Sequence, residues 1–155
     1  MGRVLSALGS SDEAMASFRD AIAIYKELIA IDPTRKDWLS DLLISYNRLG
    51  AELQRQQNSK ESLQSYQASR AIAEQLTLLD PENVDWKLNA ISTEIFLVSY
   101  DADPIPRLEM IVAELRHLKN EGKLSPVRAD QLAALEKLLF SLKSERRTIT
   151  SKQKP

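Results

Sequence analysis

Apolar residues along this chain fall at helical spacing, in runs separated by short breaks. From Trp38, the positions Trp38, Leu42, Leu43, Tyr46, Leu49 and Leu53 recur at intervals of three and four, which is one stripe of an α-helix. Asp37 precedes them, and a carboxylate there accepts first-turn N–H groups, so it reads as the N-cap. Asn58-Ser59 interrupts the pattern, with Ser59 read as the next cap. Leu63, Tyr66, Ile72, Leu76 and Leu79 then form the buried side of a second helix. Asp80-Pro81 stops it, because the residue before proline is pushed out of the helical region and proline lacks the N–H. An upstream helix runs through Phe18, Ile22, Tyr25, Leu28 and Ile29 to Asp32-Pro33. Downstream, Asp103-Pro104-Ile105-Pro106 opens a helix through Leu108, Ile111, Leu115 and Leu118, and Gly122 reads as its left-handed stop. Ser125-Pro126 opens a last helix to about Arg146, with Leu132, Leu135, Leu139 and Leu142 on one face. The polar stretch 148–155 reads as a disordered tail.

The runs repeat. Asp-Pro, a three-residue gap and Asp-Trp occur at Asp32-Pro33…Asp37-Trp38 and again at Asp80-Pro81…Asp85-Trp86, an offset of 81 − 33 = 48 residues. The same offset aligns Gly2 with Gly50, Leu5 with Leu53, Glu13 with Glu61, Phe18 with Tyr66, Ala23-Ile24 with Ala71-Ile72 and Leu28 with Leu76, without a gap. Each copy reads as a pair of helices. A close antiparallel pair needs Gly, Ala or Ser where the backbones meet and a larger side chain filling each gap. Gly50, Leu53, Ser62, Tyr66 and Ser69 supply that arrangement. Gly2, Leu5, Gly9, Ala14, Phe18 and Ala21 supply it at the same spacings upstream.

This signature resembles the tetratricopeptide (TPR) repeat. The period departs from the family's, being 48 residues here against about 34. The surplus divides into two additions of about seven residues, or about two turns per helix, which leaves each buried stripe on its own face. In this respect the chain is similar to the extended repeat arrays of bacterial signalling proteins, where such repeats follow an effector domain. The resemblance implies an all-α fold, a right-handed α-solenoid of antiparallel helix pairs closed by a C-terminal capping helix. The units would span about 1–33, 34–81 and 82–122, with the cap at 125–147. The first unit reads as cut within its first helix, as in a fragment of a longer protein. The third drifts, with Val98 and Asp101 where Gly50 and Leu53 stand in the second.

Composition narrows the function without naming it. Hydrophobic residues make up 43% and charged residues 28% of the 155, the balance of a globular chain. The net charge of −1, from 21 basic and 22 acidic residues, gives no footprint for nucleic acid. No apolar run is long enough to cross a bilayer, so no membrane partner is expected. The absence of cysteine removes thiolate chemistry and points to a reducing, cytoplasmic setting. His117 is the lone histidine and has no metal-ligand spacing around it. The four glycines do not cluster into a phosphate loop. Acidic pairs such as Asp12-Glu13 read as helix-start residues. Catalytic residues, metal ligands and a cofactor site are therefore not expected. Trp38 and Trp86, recurring at one place in the repeat, read as packing between units.

The resemblance implies a protein or peptide partner, held in a groove lined by the first helix of each unit. On the complete unit that face gives Asp41, Ile44, Asn47, Arg48, Ala51, Gln54 and Arg55 as partner-contacting residues. Asn47, Arg48 and Arg55 resemble the groups with which some family members hold a peptide carboxylate. A structural alternative is a homodimer formed through the cut first unit, whose Phe18, Ile22 and Tyr25 would lack a partner helix.

Overall fold

The computed structural model describes the backbone of residues 2–152 and the side chains of 11–149. Among the described residues the chain is all-helical, with six α-helices and no strand: α1 Gly2–Ile31, α2 Lys36–Arg55, α3 Ser59–Leu79, α4 Val84–Leu97, α5 Ile105–Asn120 and α6 Pro126–Lys152, with a 3-10 turn at Val98–Tyr100. It divides into two compact units after Leu97.

In the first unit consecutive helices pack antiparallel. α1 lies on α2, α2 on α3, and α3 on α4, with α2 also touching α4. Met15 and Ile22 of α1 close over Leu42, Leu49 and Leu53 of α2, with Phe18, Tyr25, Ile29 and Tyr46 around them. The expected bare face at Phe18, Ile22 and Tyr25 is therefore not found; α2 covers it, and Ile22 is 8% exposed. A second cluster joins Leu39 and Leu43 of α2 to Ala73 and Leu76 of α3, with Trp86 of α4 against it. Trp86 thus packs between repeat copies, and the Lys36 ammonium lies 5.4 Å from its ring centre.

The small-residue joint forms between α2 and α3. Gly50 faces the fully buried Tyr66 ring. Ser62 donates its hydroxyl to the Gly50 carbonyl at 2.7 Å, and Ser69 donates to that of Leu43 at 3.3 Å. Both serines are fully buried. A larger residue at either place would separate the helices, and an apolar one would leave a carbonyl without its added donor.

Several local details differ from expectation. Asp37 lies inside the first turn of α2, not at its cap; its carboxylate takes the Arg35 guanidinium at 2.9 Å. α3 is capped one residue early, by Asn58, whose side chain accepts the Glu61 N–H. α1 runs unbroken through the point corresponding to the α2–α3 turn, so Asp12-Glu13 lies within a helix. α2, by contrast, ends with Gln57 at φ 61° and the Asn58 N–H on the Leu53 carbonyl, a left-handed stop.

The second unit is a hairpin of α5 and α6. Asp103 accepts the Ile105 N–H at the start of α5, and Gly122 at φ 70° ends the helix with the Lys123 N–H on the Leu118 carbonyl. Leu108, Ile111, Leu115 and Leu118 of α5 and Leu132 of α6 are buried. Arg116–Glu136 and Lys143–Glu109 ion pairs fix the antiparallel register. α6 continues to Lys152, beyond the expected end near Arg146; the Arg146–Asp103 ion pair lies along this last part. The rest of the expected tail, 153–155, lies outside the described residues.

Candidate partner-docking surface

α2 is covered by α1 on one side and by α3 and α4 on another, which fixes what its remaining face presents. The seven residues expected there do not share one direction. Asp41, Ile44, Arg48, Ala51 and Arg55 succeed one another at three and four residues, so they form one continuous stripe. It spans fifteen residues, about 21 Å of helix. Asp41, Arg48 and Arg55 are exposed, and Ile44 and Ala51 are half-buried between them.

Asn47 and Gln54 turn away from that stripe. Asn47 donates its amide to the Thr93 hydroxyl on α4 at 3.0 Å, and Thr93 meets Ser69 of α3 at 3.1 Å. Thr93 is fully buried, so this three-residue contact ties α2, α3 and α4 together. Gln54 accepts the Tyr66 hydroxyl at 3.2 Å, closing over the joint at Gly50.

The stripe's charged ends are held from behind. Asp41 accepts the Tyr25 hydroxyl at 3.0 Å, and that hydrogen bond raises the tyrosine pKa above its ordinary value. Arg55 pairs with Glu52, whose carboxylate is 6% exposed and also takes the Ser11 hydroxyl. Arg48 stands in the middle of the stripe, exposed. The face is acidic at its N-terminal end and basic at its middle and C-terminal end, with the apolar Ile44 and Ala51 between the charges.

A family model described as tetratricopeptide repeat matches residues 1–32. Residues 1–32 are thus similar to a tetratricopeptide repeat. The matched segment holds the copy in which Gly2, Leu5, Gly9, Ala14, Phe18 and Ala21 spell the signature. Tetratricopeptide repeats mediate protein–protein interaction, and the family is typically a non-enzymatic scaffold. No curated protein and no solved structure matches this chain.

Within the first unit a concave feature was missed in the sequence. Ala73, Thr77 and Ala90 floor a 330 Å³ groove between α3 and α4, edged by Arg70, Glu74 and Glu94. Its signal was present, in the loss of side-chain size between copies at the 48-residue offset. Elsewhere His117 is exposed and pairs with Glu121. Among the described residues no group of three or more acidic or histidine side chains is placed to hold a metal. Among them, too, no helix is long and apolar enough to cross a membrane.

Proposed function

We propose that this chain recognises another protein, by docking a helix or peptide along the Asp41–Arg55 stripe of α2. The observation carrying the reading is that stripe: five residues in one line, with Ile44 and Ala51 alternating with charges that run from acidic Asp41 to basic Arg48 and Arg55. A partner segment antiparallel in charge gains apolar contact at Ile44 and Ala51 and pairs its acidic end with Arg48 and Arg55. The chain would act as a sensor or scaffold segment of a larger cytoplasmic signalling protein, without catalysis of its own. Asn47 and Gln54 act behind this surface, holding α4 and Tyr66.

Arg48 is the clean probe, because Arg55 also neutralises the buried Glu52 carboxylate. A photo-crosslinking residue in place of Ala51 identifies the partner, and calorimetry measures its affinity. Arg48→Glu is expected to weaken binding by about tenfold or more, as like charges meet, with helicity unchanged. An identified partner that binds Arg48→Glu as tightly as the parent removes the stripe as the docking surface.

A further inference from the structure

Asp41, Ile44 and Arg48 succeed one another along α2 at three and four residues, as an acid, an apolar residue and a base. Asp41 and Arg48 are exposed, and Ile44 between them is half-buried. Ile44 packs its inner side on the cluster of Leu39, Leu43, Ala73 and Leu76. Seven residues, about 10 Å of helix, separate the carboxylate from the guanidinium, which is beyond the spacing of three or four at which helix side chains pair. The Tyr25 hydroxyl donates to the Asp41 Oδ2 at 3.0 Å, and a carboxylate has lone pairs for further donors.

Reversing the direction of such a line exchanges its charges. A second copy laid antiparallel, with the two Ile44 residues at the two-fold axis, brings Asp41 of each copy opposite Arg48 of the other. The contact is isologous, so one exposed acid and one exposed base yield two ion pairs flanking an apolar centre. A parallel arrangement sets Asp41 against Asp41 and Arg48 against Arg48. Farther from the axis, Asp37 of each copy comes over the last turn of α2 in the other. There the Glu52 side chain is 6% exposed and that of Arg55 is 74% exposed, so the charge that Asp37 meets is the arginine cation. The stripe is thus its own electrostatic complement.

We propose that the occupant of the stripe is a second copy of this chain, held antiparallel across Ile44 by reciprocal Asp41–Arg48 ion pairs. This rests on the stripe being the docking surface and names what docks there. It is distinct from a dimer through Phe18, Ile22 and Tyr25, a face that α2 covers. Exposed ion pairs around a small apolar contact are weak and screened by salt, so pairing depends on concentration and ionic strength.

Sedimentation equilibrium across a concentration series reads it. The parent is expected to pass from monomer to dimer, and added salt to weaken the dimer. Asp41→Lys and Arg48→Glu each place like charges opposite one another at both ends of the contact and should weaken self-association about tenfold or more. Mixed in equal amounts, the two variants should form a heterodimer at least as tight as the parent dimer, because one carries two cations at these positions and the other two carboxylates. Recovery in the mixture also shows that neither variant has lost its fold, with circular dichroism as the check on Asp41→Lys, which gives up the Tyr25 hydrogen bond. The crosslinker at Ala51 is expected to capture a second copy. A parent that stays monomeric at every concentration overturns the self-pairing and leaves the stripe to a different protein. A dimer indifferent to both substitutions, or a mixture that associates no better than either variant alone, overturns it as well. Failure of the stripe itself reads differently, as a crosslinked foreign protein that binds Arg48→Glu as tightly as the parent.

Discussion

Replacing Gly50 with alanine tests the α2–α3 joint where the helices come closest. A β-carbon added there would lie 2.7, 2.9 and 3.0 Å from three ring atoms of Tyr66, well inside the ~3.5–4.0 Å at which carbon atoms attract. The ring has little room to yield. It is stacked on Phe96 with centroids 4.8 Å apart and planes 11° from parallel, and its hydroxyl is bound to Gln54. Forcing a methyl into so packed a site costs about 1–3 kcal/mol. Alanine in a helix interior returns about 1 kcal/mol of propensity. The clash sits against the rigid face of the ring, so the upper half of the range applies, and a net loss of about 1–2 kcal/mol is expected. For a chain of this size that is a fall in Tm of a few degrees, about 2–4 °C per kcal/mol. Urea unfolding followed by tryptophan fluorescence measures it. Tyr66→Leu supplies the control: in that background Gly50→Ala should cost less than about 0.5 kcal/mol, giving a coupling of about 1 kcal/mol. A Gly50→Ala variant as stable as the parent would show that α2 and α3 are not in the described contact.

Three other perturbations read separate parts of the structure. Thr93→Val keeps the shape but removes the hydroxyl shared by Asn47 and Ser69, and should cost about 1–3 kcal/mol in the same unfolding assay; an unchanged midpoint would exclude the three-helix contact. Gln57→Gly should stabilise by about 0.5–1 kcal/mol, since Gln57 sits at φ 61° and only glycine is free of the left-handed penalty; a loss of stability would refute that geometry. Asp32 is held below the ordinary aspartate value of 3.8 by the Thr34 hydroxyl and N–H, and Asp37 by the Arg35 guanidinium. A depressed folded pKa gives a contribution present above 3.8 and lost as pH falls through the lower folded value. Carboxyl NMR titration should therefore place both midpoints below 3.8, and midpoints at or above it would contradict the turn geometry.

The sequence carried most of the helix ends and the tightest joint because those rest on local chemistry. Asp32-Pro33 and Asp80-Pro81 stop helices through the backbone itself, and α1 and α3 end at Ile31 and Leu79. Gly50, Ser62, Tyr66 and Ser69 were legible because backbone proximity tolerates few other residue types. The division of the candidate site was less so. Asn47 is adjacent in sequence to Arg48, and Gln54 to Arg55, about 100° apart on the helix; sorting them requires knowing from which directions α3 and α4 approach. The unbroken α1 was hidden for a related reason. Gly9 and Ser10 stand at the positions of Gln57 and Asn58 in the next copy, yet the helix runs through them, so the repeat alignment by itself does not say whether the stop is used.

The α3–α4 groove and the α2 stripe follow from the repeat in different ways. Repetition at 48 residues fixes the positions where helices meet, so a residue type retained in both copies, such as the aromatic at Phe18 and Tyr66, answers to packing. A residue changed between copies is released from that requirement. At Ala73, Ala90 and Glu94 the change removes bulk and adds charge, and a solid cluster becomes a groove. On α2 the length of the helix acts differently. Its twenty residues present the Asp41–Arg55 line from a single helix. In a short-period array a comparable line must be assembled from several units. Long helices therefore let one complete repeat offer a contact of about 21 Å, with its charge order set by a sequence of fifteen residues rather than by the stacking of neighbours.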